Sequence, residues 1–297
     1  KLIRIMHDQV DWSATGAEKE LRKLLKGGKR QRPVAVRRTE TVKRVETMKT
    51  GKKRNGLKIG LYLQQHRPNG KDRHFDEAMK VVKNSDLDLF VFPEVCYTPF
   101  AKGMVKSYLM DGDNLEKAYI ECEKLSLSIG KPIIFSGIDK SRYTRDPYGS
   151  IFSLFVNPFA KRGETKRSCY IKHTQTCYSA FDYPDYRKKI AKNNFTPIRF
   201  HGHKLGMTIC FDGNQALFSR MYGLHGVDII INSTGGNVMY DKWYKNHKAR
   251  AIENHCYELV TMGEEQGRKN SYVYGFNPEG GELKFQNLMK QTDCTNA

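Results

Sequence analysis

The sequence predicts an α/β fold with mixed strand directions, and three observations carry that expectation. From Leu57 onward, short runs rich in β-branched and aromatic residues alternate with segments whose apolar residues recur at helical spacing. Hydrophobic residues make up 39% and charged residues 28% of the 297 residues, a globular balance, and no apolar run approaches the ~18 residues of a membrane helix. Several apolar runs also end in a reactive side chain, and the carboxyl ends of strands are where an open α/β sheet gathers its chemistry.

Taken in order, "LKIGLYLQQ" alternates as a strand, and "HFDEAMKVVKNSD" carries Phe75, Met79 and Val82 on one helical face. "LDLFVFPEV" is an apolar, β-prone run. A helix over "NLEKAYIECEKLSLSIG" is stopped by Gly130. Strands follow at "KPIIFSGI", "GSIFSLFVNP" and "RSCYIKH", then the irregular stretch "TQTCYSAFDYPDYRKKIAKNNF". "TPIRF", "HGHK" and "LGMTIC" read as strand, turn and strand of a hairpin. Beyond it come a helix in "GNQALFSRMYGLHG", a strand "VDIIINST", a helix "DKWYKNHKARAIENHC", a strand "YELVTMG" and a closing hairpin "SYVYGFNPEGGELKF". Alternation of this kind calls for sheets covered by helices.

Residues 1–56 have a different texture. They hold 17 basic and 6 acidic residues, which is +11 of the net +19, in clusters such as "KGGKRQR" and "GKKRNG". Two short helices are expected in this basic extension, over "TGAEKELRKLLKGG" and "TETVKRVETMKTG". A solvated arm is the plain reading; contact with nucleic acid or another anionic partner is the alternative its charge allows. The domain division expected is therefore residues 1–56 and 57–297. The start "KLIRIMHDQVDW" shows no continuous apolar core of a secretory signal, and the seven scattered cysteines fit free thiols in a reducing compartment, so a cytoplasmic location and no membrane partner are expected.

Glu94 closes "FVFP", Lys172 closes "CYI" and Cys210 closes "GMTI". Each has an ordinary reading when taken alone: a capping or surface carboxylate, a solvated amine and a buried core thiol. Together they make chemical sense. An unperturbed thiol at pKa ~8.5 is mostly protonated at neutral pH, so a cysteine nucleophile needs a base or a nearby cation. Glu94 supplies the first and Lys172 the second, with its charge also placed for a developing oxyanion. A turn after Cys210 leaves the Phe211 backbone N–H to point at that oxyanion. Cys169, His173, Cys177, His201 and His203 match no paired metal-ligand spacing, so no metal site is expected.

These motifs resemble the nitrilase superfamily, the carbon–nitrogen hydrolases. "FVFPE", "YIKH" and "LGMTICFD" are similar in order and context to that family's glutamate, lysine and cysteine elements, "RAIENHCYELV" to its Arg-Ala-x-Glu-Asn helix, and "SYVYGFNPEGG" to its closing hairpin. The resemblance spans about residues 57–290. It implies an α-β-β-α sandwich, a Glu94–Lys172–Cys210 triad, attack by Cys210 to give a thioester, no metal or organic cofactor, and a homo-oligomer formed by packing helix faces. It implies a small amide-type substrate, with carbamoyl compounds and nitriles behind it because Cys-Phe-Asp differs from the Cys-Trp-Glu of true nitrilases. Asn232 and Ser233 are expected beside the substrate. The second glutamate of many amidase-like members has no counterpart, since residues 173–209 contain none, and Asp182 in "FDYPDY" is the favoured substitute over Asp185. An acyltransferase, in which an amine resolves the same thioester, is the rival within enzymes; a binding protein acting through the basic arm is the rival outside them.

Overall fold

The computed structural model describes residues 56–65, 75–94, 109–110, 115–139, 151–174, 195–235, 240–264 and 273–289. Apart from Gly56, the basic extension and its two expected helices lie outside the described residues, as do Asp182 and Asp185.

Two sheets form the centre. The first runs β1 (Ile59–Leu61), β3 (Leu89–Val91), β5 (Ile133–Asp139), β6 (Ile151–Val156) and β7 (Arg167–Ile171) across its width, with β4 (Leu109–Met110) also paired to β5. The second runs β12 (Tyr274–Phe276), β11 (Tyr257–Glu264), β10 (Ile229–Thr234), β9 (His203–Ile209) and β8 (Ile198–Phe200), with β2 (Gln64–Gln65) on β11. In the first sheet β1, β3 and β5 are parallel while β6 and β7 reverse in turn; in the second β9, β10 and β11 are parallel and β8 and β12 antiparallel. Strand directions are thus mixed, as the sequence predicts.

The period-2 alternation of the strands assigns their faces. Leu89, Val91, Ile134 and Phe155 of the first sheet join Leu205, Met207, Ile209, Ile229 and Ile231 of the second in one buried cluster. The intervening residues Phe90, Ile133, Phe135, Phe152 and Leu154 face the other way, onto Phe75, Met79 and Val82 of α1 (Phe75–Asn84) and Cys122, Leu125 and Ile129 of α2 (Leu115–Ile129). On the second sheet, α3 (Ala216–Leu224) packs by Phe218 and Tyr222, and α4 (Tyr240–Asn254) by Trp243 and Ala251. Helices cover the outer faces of two facing sheets, the expected α-β-β-α sandwich.

Local sequence signals act where expected. α2 ends at Gly130, and the β8–β9 hairpin turns on His201 and Gly202, both at positive φ, the two-residue turn that suits strand twist. The closing hairpin is shorter than its sequence suggests, with β12 meeting the returning chain in a single bridge between Phe276 and Glu282. Among the described residues, no helix is long and apolar enough to cross a membrane.

Candidate active site

Sheet directions bring the three reactive residues to one place. β3 and β7 run the same way, with β5 parallel and β6 antiparallel to them in between, so Glu94, two residues beyond Phe92, and Lys172, directly after β7, leave the same edge of the first sheet. Cys210 leaves the carboxyl end of β9 in the facing sheet. Lys172 Nζ donates to Glu94 Oε1 at 2.7 Å, and both side chains are buried. The Gly235 N–H donates to the other carboxylate oxygen, Glu94 Oε2, at 3.0 Å.

Cys210 opens a 3-10 turn, Cys210–Asn214, and sits at φ +49, in the left-handed region that a residue with a Cβ occupies only when the surroundings hold it. Its thiol is buried, and that burial pushes its pKa up to about 12. The Glu94 carboxylate pushes the same way, while Lys172 and the Thr234 hydroxyl pull it down. Burial alone would lower the Lys172 pKa, but the acidic groups around the amine, with Glu94 in direct hydrogen-bonding contact, outweigh it, so the amine is held firmly as a cation. The resting site is therefore a protonated thiol beside a lysine–glutamate ion pair. Such a thiol becomes a nucleophile only as its proton is taken, and Glu94 is the carboxylate whose charge bears on it.

Asp212, fully buried two residues past the thiol, ties the turn to the lysine. It accepts from the Tyr170 hydroxyl, the His173 N–H and the Thr174 N–H, each at 2.9 Å, and from the Thr174 hydroxyl. One carboxylate thereby fixes the segments on both sides of Lys172 to the segment that presents Cys210. The strand β10 performs a parallel task. Asn232 Nδ2 donates to Thr208 Oγ1 at 2.9 Å and to the Cys210 carbonyl at 3.1 Å, and Ser233 Oγ donates to the Phe92 carbonyl at 2.9 Å. Pairing of Ser233 with Ile209 puts Thr234 level with Cys210, and the buried Thr234 hydroxyl has no hydrogen-bond partner among the described residues.

Asn232 and Ser233, expected beside the substrate, are buried; their donors reach the Cys210 and Phe92 carbonyls, and Asn232 Oδ1 has no hydrogen-bond partner among the described residues. Phe211 is half-buried, and its N–H falls in the first turn of a 3-10 helix, where backbone donors have no intrahelical acceptor. Sequence reasoning passed over Asp212, Thr234 and Gly235. Asp212 was in plain view two residues after Cys210; Thr234 and Gly235 act through a strand register that only the fold reveals. Among the described residues, no three His, Cys, Asp or Glu side chains gather as metal ligands.

Comparison with known proteins agrees with this architecture. Residues 152–276 match the carbon-nitrogen hydrolase family, a span that contains Lys172 and Cys210 and begins after Glu94. The amidase from Nesterenkonia sp. superposes with a TM-score of 0.55 at 13% identity, over 78% of this chain and 86% of that one. The fold is that of the nitrilase superfamily. A mutant of the Nesterenkonia sp. AN1 amidase, described as from the nitrilase superfamily, matches with a TM-score of 0.55 at 12% identity, over 80% of this chain and 89% of that one. A further variant, at 13% identity and a TM-score of 0.55 over 78% and 86% of the two chains, shows the acetamide moiety of fluoroacetamide added covalently at its active site cysteine. No curated protein matches this chain.

Proposed function

We propose that this carbon-nitrogen hydrolase cleaves the C–N bond of a small amide, with Cys210 as nucleophile, Glu94 as proton acceptor and donor, and Lys172 as the fixed cation. The observation that carries the reading is the 2.7 Å Lys172–Glu94 contact beside the Cys210 thiol, three buried polar groups that a merely packed core has no reason to collect. Glu94 takes the thiol proton as sulfur attacks the carbonyl carbon. Negative charge then develops on the carbonyl oxygen, where Lys172 and the Phe211 N–H can meet it. The C–N bond breaks as Glu94 returns the proton to the departing nitrogen, leaving a thioester. A water molecule gives its proton to Glu94 while its oxygen adds to the thioester, and release of the carboxylic acid restores the thiol. The amide preference is favoured by the kinship in fold with amidases.

The four described cysteines with free thiols favour a reducing, cytoplasmic setting. A homo-oligomer and an anionic partner for residues 1–56 are proposed on resemblance and charge alone. The decisive experiment offers a panel of small amides, carbamoyl compounds and nitriles, follows ammonia release, and looks for an acyl adduct by intact mass, with Cys210→Ala alongside. Turnover or an adduct lost in Cys210→Ala supports the reading; neither across the panel, with a thiol that resists alkylation, overturns it.

A further inference from the structure

Beneath the nucleophile turn lies a second buried pair that the chemistry above does not use. His247 of α4 and Glu258 of β11 are both completely inaccessible, and Nδ1 and Oε1 stand 2.8 Å apart. Burial lowers the His247 pKa to about 3 and raises that of Glu258 well above the usual carboxylate range. Burial thus favours the neutral form of both groups, which are hydrogen-bonded to each other through Nδ1 and Oε1. The imidazole is also packed between Trp243 and Tyr274, with ring centroids 5.7 and 5.9 Å away.

The far side of that imidazole carries the turn. A Cβ placed on Gly213 would lie 2.5 Å from His247 Cε1 and 2.4 Å from Asn232 Nδ2, so the backbone of the turn rests directly on both side chains. Asn232 in turn holds the Cys210 carbonyl, and the neighbouring Asn246 holds Asn214 Oδ1 at 2.8 Å. Cys210 itself is in a strained left-handed conformation that something must enforce.

We propose that His247 is a positioning residue: clamped by Glu258, it props Gly213 from below and, with Asn232, keeps Cys210 in the left-handed conformation that presents its thiol to Glu94 and Lys172. An adjustable contact would not serve, because a displacement of about 1 Å at a nucleophile can cost on the order of a hundredfold in rate. The hydrogen bond to Glu258 removes the freedom of the ring to rotate away.

The inference rests on Cys210 being the nucleophile, and two readouts keep the fates of the two ideas apart. The first is the rate of Cys210 alkylation by iodoacetamide; the second is amide hydrogen exchange at residues 211–214, which reads the turn whether or not Cys210 reacts. Glu258→Gln keeps a hydrogen-bonding group opposite Nδ1 and is expected to leave both within about threefold of the parent, whereas Glu258→Leu and His247→Asn slow alkylation roughly ten- to a hundredfold and speed exchange in the turn. His247→Asn keeps a polar group opposite Glu258 while withdrawing Cε1 from Gly213, so it decides the matter even if Glu258→Leu fails to fold. Parent-like exchange and alkylation in folded His247→Asn overturn the proposal. Faster exchange in that variant, in a protein whose Cys210 never alkylates, supports the prop and overturns the nucleophile.

Discussion

The Ser233 hydroxyl donates to the Phe92 carbonyl at 2.9 Å, joining strand ends that belong to different sheets and lie 141 residues apart in the chain. Ser233 is followed by Thr234, beside the thiol, and Gly235, whose N–H holds Glu94; Phe92 is followed by Pro93 and Glu94 itself. This one bond therefore sets the spacing between the segment that carries Glu94 and the sheet that carries Cys210.

Ser233→Ala should report that spacing. It leaves a buried carbonyl without its donor, at a cost of about 1–3 kcal/mol, and should lower the melting temperature together with turnover. An unchanged melting curve would mean that other contacts already fix the sheets.

Asp212→Asn should be more damaging to activity than to fold. The amide is nearly isosteric, but it replaces one accepting oxygen with a donor that must face the N–H or O–H groups of Tyr170, His173 and Thr174. The expected outcome is a fall in kcat of roughly a hundredfold with KM little altered, since Lys172 and Cys210 move relative to one another. Steady-state kinetics on the best amide of the panel would decide it.

Glu94→Gln should separate thiol ionisation from catalysis. The Glu94 charge raises the Cys210 pKa, so removing it with Lys172 retained leaves more thiolate at pH 8. Iodoacetamide should then react faster with the variant while ammonia release falls by at least about a hundredfold, because the proton acceptor and donor is gone. Slower alkylation would show that Glu94 acts chiefly by taking the thiol proton during attack.

Glu258→Gln should stabilise the protein, and increasingly so as pH rises. The native carboxyl holds its proton to higher pH than the unfolded one, which ionises near 4.5, so the raised pKa gives stability that is whole at low pH and drains away above that point, at about 1.4 kcal/mol per pH unit. His247 has the opposite sense: its lowered pKa gives stability that is whole above the ordinary histidine value of 6.5 and falls as pH drops towards 3. The two slopes cancel between 4.5 and 6.5, and Arg250 and Glu253 are the charged groups that bear on the pair. Denaturant melts of parent and variant should diverge further at pH 8 than at pH 5.5. Equal gaps at both would place a charge on the native pair.

The alkaline limb follows from the thiols. Cys210 and Cys169 are both pushed up to about 12 by burial, so their stabilisation is whole below the unfolded thiol's 9.0 and is lost as pH rises through the folded value. Cys210→Ala should flatten the decline in unfolding free energy between pH 9 and 11 by about 1.4 kcal/mol per unit.

The sequence by itself determined the α/β class, the order of the principal elements and the three reactive residues. Those are properties of local pattern: alternation fixes the faces of β3, β5 and β6, helical spacing fixes those of α1 and α2, and the apolar runs end visibly at Glu94, Lys172 and Cys210. Only the tertiary structure decided what surrounds them. Resemblance alone puts Asn232 and Ser233 beside the substrate; their bonds to the Cys210 and Phe92 carbonyls are set by which strands lie side by side. Asp212 gained its importance from meeting Tyr170, His173 and Thr174, about forty residues upstream. His247 and Glu258 had no signal at all, since a histidine in a polar helix and a glutamate in a strand read as surface residues until packing closes over them. Their pairing depends on the seating of α4 against β11, a long-range consequence of the hydrophobic core that no window of sequence contains.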